Sequence, residues 1–507
     1  MKKNITTYKI NFLKLLALQL VVFFIAGCQK KVSVGEFTDD MSSYGPVHTD
    51  TTIIVWKNPD ATTDEFNQWK QNHHLTTANM IDSTCLFCNN DDPLELYAGV
   101  NIRTLIQGNT TGGSGTGCTG IHCGPSGGGD DTAYFSYNLS MFLPEPTAPV
   151  DSIGYHYTII HSYKKQYPVP TNLNLAPQDR FPGQPVTVAI FDTGIDSTLT
   201  NKYCSGLSSA CEISAARGWN YNYGNSNTQD DYPHRHGSAV AKFIVDQVMQ
   251  YGNQKVNIIP VKIHDSLGRS SLYNVLCAIA YASKSHVNII NASFGFYWDD
   301  VTNTPLLLGE FIKHYLTQQG ILMIAAAGNA DEYDDTFAVH HNLVPFSQLR
   351  NLDYHPFYPA SFAGKIGFDN VIAVTTCEIP SYHMVSQFQN YSNNYVDAGV
   401  NGDIPFNIFY PSSVSRIEFG FFDPLDRTIP GGGQLIIAGS SYSTPIITGK
   451  IAAYYDTLTN GMVGAGTANQ IDKNELFRRM TTQRLITSET GILATQIKGG
   501  KYAIRPN

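Results

Sequence analysis

This sequence has few charged residues, no excess of positive charge and few long apolar runs. Only 15% of the 507 residues are charged and 42% are hydrophobic, a balance typical of a globular protein with a sizeable core. The formal net charge of -9 argues against nucleic acid as a partner. Beyond the N-terminus no apolar run is long enough to span a bilayer, which argues against a buried membrane domain.

The N-terminus has the layout of a secretion signal. Several lysines precede an apolar core at 15–25, which is too short to favour a membrane span. The core ends in Ile-Ala-Gly-Cys, which resembles a bacterial lipobox, so we expect removal of residues 1–27 and a lipid on Cys28. A plain signal peptide with an incidental cysteine is the alternative. The sequence therefore predicts an exported, soluble chain, tethered by residues 28–50 to the cell envelope (outer membrane or cell surface) through its N-terminal lipid.

Eight cysteines follow Cys28, and six of them lie in close pairs. In an exported protein such spacing favours local disulfides. The candidate pairs are Cys85/Cys88, Cys118/Cys123 and Cys204/Cys211. Zinc is the alternative for the first four, because His122 lies within the second pair. Cys277 and Cys377 lie in apolar segments, so we expect them to be buried free thiols.

The chain changes character along its length. Residues 51–107 read as strand, helix and strand, which predicts a small α+β unit. Residues 108–184 begin with a Gly-rich loop and continue as an irregular linker. From 185 to 507 short apolar strands alternate with helices, which predicts a mainly parallel sheet covered on both faces. In such sheets the ligand site lies beyond the carboxyl ends of the strands.

Three short motifs supply a carboxylate, an imidazole and a hydroxyl near such strand ends or helix starts. Asp192 closes a buried strand, His236 opens a helix, and Ser441 lies in a serine-rich turn that begins another helix, with Pro445 in its first turn. A hydroxyl becomes a nucleophile when a neighbouring base accepts its proton, and that base needs an orienting carboxylate. Each motif alone also fits a turn or a helix cap. An aspartic protease would need a second Asp-Thr-Gly loop in an all-β setting, which the sequence lacks.

In this order, the motifs resemble those of the subtilisin-like serine peptidases. The likeness covers roughly residues 185–460, more than half of the mature chain. The matched patterns are D-T/S-G-I/V-D at 192–196, H-G-T-x-V-A at 236–241 with Ser238 for Thr, and G-T-S-x-A-x-P at 439–445 with Ser440 for Thr and Ser443 for Ala. These exchanges are small for small, so the pattern favours Ser441 over Ser440 and Ser443 as nucleophile.

The resemblance implies a three-layer α/β/α subtilisin-like fold and a serine endopeptidase acting on protein or peptide substrates. It implies a catalytic triad of Asp192, His236 and Ser441, with Asn329 of Ala-Ala-Ala-Gly-Asn donating to the oxyanion. It also implies substrate binding by two backbone segments, formed by Ser293, Phe294 and Gly295 and by Ala327 and Gly328. No cofactor is required. Many relatives carry structural calcium, but no dedicated calcium loop is evident in this sequence.

The sequence also departs from the family pattern. The usual A-A-P-G is missing near residue 398, and residues 331–357 and 401–433 look like insertions beside the site. The first insertion opens with four acids, Asp331, Glu332, Asp334 and Asp335, which either favour basic substrate residues or form a solvated acidic loop. The unit at 51–107 is similar to family propeptides, which makes it a prodomain-like or an accessory unit. Two alternatives stay open: a non-catalytic surface lipoprotein that uses the scaffold for binding, and a peptide ligase or cyclase that shares the acyl-enzyme.

Overall fold

The structure is a computed structural model that describes residues 49–83, 85, 88, 93–98, 100, 128–129, 131–143, 185–198, 204, 211–251, 254–298, 305–340, 342–409, 415–427, 435–462 and 471–505. All of them belong to one compact unit, Gly45–Asn507. The predicted signal peptide, Cys28, the tether, Cys118, His122 and Cys123 lie outside the described residues. No helix within these ranges has the length and apolar character needed to cross a bilayer.

The strands and helices of these ranges follow one another in a fixed order. The first group is β1 (Thr49–Lys57), α1 (Thr63–Asn72), β2 (Met80–Asp82), β3 (Leu94–Ala98), β4 (Gly128–Gly129), β5 (Ala133–Phe142), β6 (Val186–Asp192), β7 (Cys211–Ile213), β8 (Trp219–Asn220), α2 (His236–Tyr251), β9 (Val256–Lys262), β10 (Arg269–Ser271), α3 (Leu272–Lys284) and β11 (Ile289–Ala292). The second is β12 (Phe296–Tyr297), α4 (Leu306–Tyr315), β13 (Leu322–Ala326), α5 (Glu332–His340), β14 (Phe357–Tyr358), β15 (Val371–Glu378), β16 (Met384–Val385), β17 (Ala398–Asn401), β18 (Ile404–Phe409), β19 (Ser415–Phe422), β20 (Ile436–Ala438), α6 (Ser440–Ala453), α7 (Tyr455–Thr459), α8 (Lys473–Thr482), β21 (Thr487–Ser488), α9 (Ile492–Gln496) and β22 (Lys501–Ile504).

The large sheet runs in the order β21-β22-β17-β15-β13-β11-β6-β9-β7. The pairs from β22 through to β7 are parallel, and β21 and β16 are antiparallel additions. Side chains alternate across a strand, and in β6 Val188 and Ile190 pack with α2 and α6 whereas Ala189 and Phe191 pack with α3 and α4. The sheet therefore lies between two helical layers, which is the predicted three-layer α/β/α arrangement.

Helix α6 lies in the interior of this fold. All 14 of its residues are buried, and it packs against α2 and the sheet. A helix that is buried on every side needs no polar face, so its sequence shows no amphipathic stripe. Its first residues follow β20 directly, which fixes the serine-rich turn at the end of that strand.

The N-terminal sheet joins strands that are far apart in sequence, in the order β10-β5-β1-β3-β2, and β4 also pairs with β5. Helix α1 covers it with Phe66 and Trp69, and its first turn is closed by a reciprocal Thr62–Glu65 capping box. The sequence predicts an irregular linker over 108–184, but within this range Ala133–Phe142 forms the regular strand β5. Its partners β1 and β10 are distant in sequence, so local patterns gave no signal for them.

The two predicted insertions form ordered structure where they are described. Residues 332–340 form α5 rather than a solvated loop, and the Asp335 carboxylate makes a buried ion pair with Arg350. In the second insertion β18 and β19 pair with each other, and β19 pairs with β20, which follows the insertion, to give a three-stranded antiparallel sheet. That sheet leads into α6, so the insertion positions the start of the helix that carries Ser441.

The described cysteines differ in their bonding. Cys204 and Cys211 form a disulfide, and Cys277 and Cys377 are buried free thiols as predicted. The disulfide prediction is wrong for Cys85 and Cys88 in this structure: both are free, with their Sγ atoms 2.8 Å apart. Burial raises the pKa of each of these two thiols well above the ordinary value for cysteine. Both thiols are therefore protonated, and they share a hydrogen bond.

Candidate active site

Asp192 is the last residue of β6 and lies at the carboxyl end of the parallel sheet, where the sequence predicts the site. Its carboxylate is buried and accepts the Thr193 backbone N–H at 2.7 Å. Burial alone would raise the pKa of Asp192, but the charge and hydrogen bonds of His236 outweigh it and the pKa lies below its ordinary value. The group is therefore an anion at neutral pH.

His236 is the first residue of α2 and faces this carboxylate. Its Nδ1 lies 2.7 Å from Asp192 Oδ1 and 2.9 Å from Oδ2, with both side chains buried. A carboxylate only accepts hydrogen bonds, so Nδ1 carries a proton, and in the neutral ring the lone pair is then on Nε2. This tautomer is the one a general base requires.

Ser441 lies in the first turn of α6, beside His236. The neighbouring Tyr442 ring is 5.2 Å from the His236 ring, centroid to centroid. The Ser441 hydroxyl donates to the Ser293 carbonyl at 2.9 Å and makes no hydrogen bond with His236 among the described residues. Rotation about the Ser441 side chain would redirect the hydroxyl, and such contacts often form only when substrate binds.

The two other serines of the turn are already engaged. Ser440 accepts the Gly328 N–H at 3.0 Å, and Ser443 shares a 2.7 Å hydrogen bond with Thr376. Both side chains are fully buried, whereas Ser441 keeps 4% of its surface exposed. Of the three serines, Ser441 is thus the one with any exposed surface.

Pro445 lies in the second turn of α6, whereas the sequence predicts it in the first turn. A proline there leaves the carbonyl of Ser441 without its helical N–H partner. The Ser293 hydroxyl donates to that carbonyl at 2.8 Å. Ser293 and Ser441 therefore bond reciprocally, and this long-range pair makes the proline tolerable.

Asn329 follows β13 and points its amide at the start of α6. Its Oδ1 accepts the Ser440 backbone N–H at 2.9 Å and the Ser440 hydroxyl at 3.2 Å. Because an N–H needs an acceptor, the atom that faces the Ser440 N–H is Oδ1, and Nδ2 lies beside Gly439, the residue before α6. Among the described residues neither Asn329 Nδ2 nor the Ser441 N–H has an acceptor, so both donors remain for an oxyanion.

The other predicted substrate-binding residues are buried around this point. Ser293 pairs with Ser441, and Phe294 meets the His264 ring edge-on at 5.6 Å. The backbone of Gly328 is used internally, because its N–H donates to Ser440 and its carbonyl accepts the Asn390 N–H. Ala327 likewise donates its N–H to Val374. These backbone groups of 327–328 therefore shape the site without being free to pair with substrate.

A second buried carboxylate, Asp230, was missed by the sequence reasoning. It accepts the Ser238 N–H at 2.9 Å and the hydroxyls of Ser238 and Thr193 at 2.7 and 2.9 Å. Thr193 in turn accepts the Gly237 N–H, so Asp230 ties the Asp192 loop to the start of α2. Burial raises the pKa of Asp230. The one signal for it was an acidic pair a few residues before His236.

His264 lies close behind Asp192 and was also missed. Its backbone N–H donates to the Asp192 carbonyl at 3.2 Å, and neither ring nitrogen has a hydrogen-bond partner among the described residues. Burial lowers the pKa of His264 to about 4. The ring is therefore neutral at pH 7 and does not compete with His236 for the Asp192 charge.

No group of three or more His, Cys, Asp or Glu side chains in the described ranges is arranged to hold a metal ion. Part of the cysteine set for which zinc was the alternative lies outside those ranges. In the acidic segment after Asn329, the buried carboxylate of Asp335 forms an ion pair with Arg350.

Residues 183–484 match the sequence model of the Peptidase_S8, or subtilase, family. A stretch of 113 residues is 34% identical to the cell wall-associated protease of Bacillus subtilis (strain 168), covering 21% of this chain and 12% of that protein. The chain therefore matches only a small part of this relative's length.

Two solved structures are similar in fold. A cold adapted subtilisin-like serine proteinase is 19% identical, with 64% of this chain and 89% of that chain covered and a TM-score of 0.40. The epidermin leader peptide processing serine protease of Staphylococcus aureus is 14% identical, with 89% and 96% covered and a TM-score of 0.47.

Proposed function

The chain belongs to the subtilase family of serine peptidases, and on this premise we propose that it is an endopeptidase that works through Asp192, His236 and Ser441. The observation that carries the proposal is the 2.7 Å hydrogen bond between Asp192 and His236, beside the helix start that holds Ser441. Protein or peptide substrates follow from the family, because its members hydrolyse peptide bonds.

In the proposed reaction the Ser441 hydroxyl turns from the Ser293 carbonyl and attacks the scissile carbonyl carbon. His236 Nε2 accepts its proton and later gives it to the leaving amine, while Asp192 stabilises the imidazolium. Asn329 Nδ2 and the Ser441 N–H donate to the oxyanion. Water then adds to the acyl-enzyme with His236 again as base, which releases the acid and restores Ser441.

A fluorophosphonate probe tests this assignment, because it phosphonylates activated serines. We expect one labelled peptide, containing Ser441, and loss of labelling in Ser441→Ala and His236→Ala. Ser443→Ala is the matched control, since it removes a hydroxyl from the same turn and should keep the label. Labelling that persists in Ser441→Ala would overturn the proposal. An unlabelled wild-type protein would favour the non-catalytic binding alternative.

We also propose that the unit at 51–107, together with the strand β5, forms an inhibitory, prodomain-like region. The end of β5 pairs with β10, and the Leu143 N–H donates to the Gly268 carbonyl at 3.0 Å. In the proposed role β5 occupies the edge of β10, so that it would block any extended substrate that pairs with this edge. Trp56 of this region packs against Phe311 of α4 at 4.8 Å between ring centroids, which supports a stable contact.

N-terminal sequencing over a time course tests this proposal. We expect activity to rise as a new N-terminus appears between residues 144 and 185, and no such cleavage in Ser441→Ala. A fully active chain that keeps residues 49–143 intact would contradict an inhibitory role and leave an accessory one.

Location at the cell envelope, through a lipid on Cys28, is proposed from the signal-like N-terminus and agrees with the name of the cell wall-associated relative. Growth with radiolabelled palmitate should label the wild-type chain and not Cys28→Ser. Release of unlabelled wild-type chain into the medium would contradict lipid anchoring.

A further inference from the structure

The ring of Phe357 fills the space between the two backbone segments that flank Ser441. A Cβ on Gly295 would lie 2.2 Å from Cε1 of this ring, and a Cβ on Gly328 would lie 2.8 Å from its Cδ1. Real Cβ atoms do not approach other heavy atoms so closely, so both glycines are needed for the ring to fit. One aromatic side chain therefore occupies the gap that the two glycines leave.

Phe357 is held in this gap by its own strand. In β14 it pairs with Tyr297 of β12, and its backbone N–H donates to the Ser361 hydroxyl at 3.0 Å. The Tyr297 ring meets it edge-on at 5.0 Å and stacks on the His355 ring at 4.1 Å. Arg350 donates to the Tyr297 hydroxyl at 2.6 Å. A ring supported in this way cannot swing aside without breaking several contacts.

The position of the gap follows from the chemistry. The scissile carbonyl must place its carbon at Ser441 Oγ and its oxygen at Asn329 Nδ2. Gly295 follows β11 and Gly328 follows β13, and these two strands are parallel neighbours that end beside Ser441. The substrate residue that contributes the scissile carbonyl, called the acyl residue below, must then direct its side chain between these segments.

We propose that Phe357 determines specificity for the acyl residue by filling its pocket, so that Gly, Ala or Ser is accepted there and a large aromatic side chain is excluded. This inference rests on the proposed function. One acid of the insertion, Asp335, is buried and paired with Arg350, so its charge is already neutralised inside the protein. The site therefore discriminates by the size of the acyl side chain. The 9% of Phe357 that is exposed forms the shallow apolar floor of the pocket.

Peptide p-nitroanilides that differ only in the acyl residue test the proposal with the full chain, normalised to the fraction that a fluorophosphonate titrates. We expect wild type to cleave the Ala substrate on the order of a hundredfold better than the Phe substrate, by kcat/KM. In Phe357→Ala the kcat/KM for the Phe substrate should rise by about tenfold or more, with little change for Ala. Phe357→Leu, which is less disruptive to the fold, should fall between the two.

Phe368→Ala is the matched control, because it removes a buried ring that contacts Phe362 and neither glycine. It should leave the Ala-to-Phe preference unchanged even if it lowers stability. A wild-type enzyme that cleaves Phe and Ala substrates equally, or a preference unmoved in both Phe357 variants, would overturn the inference and leave the peptidase proposal standing. No cleavage of any substrate together with no labelling of Ser441 would overturn both.

Discussion

Replacing Asp192 by Asn changes only the group that orients the histidine. Asp192 Oδ1 also accepts the Thr193 N–H at 2.7 Å, so an amide would keep its oxygen there and place its NH2 near His236 Nδ1 at the former Oδ2 position, 2.9 Å away. That donor favours the tautomer with the proton on Nε2, which cannot accept a proton from Ser441. The negative charge that stabilises the imidazolium is lost as well. From comparable triads we expect kcat to fall by about 10^4.

The assay is hydrolysis of the Ala p-nitroanilide, with the phosphonylation rate of Ser441 as a second readout. The amide is nearly the size of the carboxylate, so thermal unfolding should show a folded protein. Asp231→Asn is the control, since this carboxylate is in the segment before His236, pairs with Lys262 and has 45% of its side chain exposed. It should retain activity. A loss of less than about tenfold in Asp192→Asn would refute the role given to Asp192.

Three further predictions concern the oxyanion, a buried acid and a buried ion pair. Asn329→Ala should lower kcat by about 10^2 to 10^3 with little change in KM, because the lost donor acts on the transition state. Burial raises the pKa of Glu418 from its ordinary 4.5 to about 7, so its stabilising contribution is complete below pH 4.5 and is lost as the pH rises towards 7. Glu418→Gln should therefore be more stable than wild type above pH 7, by about 3 kcal/mol, and equal to it below pH 4.5. Asp335→Ala leaves the Arg350 charge buried without its partner and should lower the free energy of unfolding by about 3–5 kcal/mol.

Each of these has a result that contradicts it. An unchanged kcat in Asn329→Ala would remove the amide from the oxyanion site. A Glu418→Gln stability difference that does not vary between pH 4 and 8 in denaturant titrations would exclude ionisation of the buried acid. Loss of less than about 1 kcal/mol in Asp335→Ala would mean that water reaches Arg350.

The parts of the fold that the sequence predicts well are those set by continuous apolar runs. The buried strand that the sequence predicts to end at Asp192 is β6, because a buried parallel strand needs apolar side chains on both faces. The chain order of Asp192, His236 and Ser441 then limited the site to one family. Position at the end of a strand or the start of a helix, rather than residue type alone, made these candidates recognisable.

The parts that it does not predict depend on contacts between distant residues. Pro445 was assigned to the wrong helical turn, because the Ser293 hydroxyl that replaces its missing hydrogen bond is 148 residues away from the Ser441 carbonyl. Strand β5 pairs with β1 and β10, both remote in sequence. Phe357 looks like an ordinary core residue until its ring is seen between two glycines.

The most direct test of the account is a crystal structure of the phosphonylated protein. We expect a covalent bond from phosphorus to Ser441 Oγ, with this oxygen moved away from the Ser293 carbonyl. We also expect a phosphonyl oxygen about 3 Å from both Asn329 Nδ2 and the Ser441 N–H. An adduct on another residue, or an oxygen that points away from both donors, would contradict it.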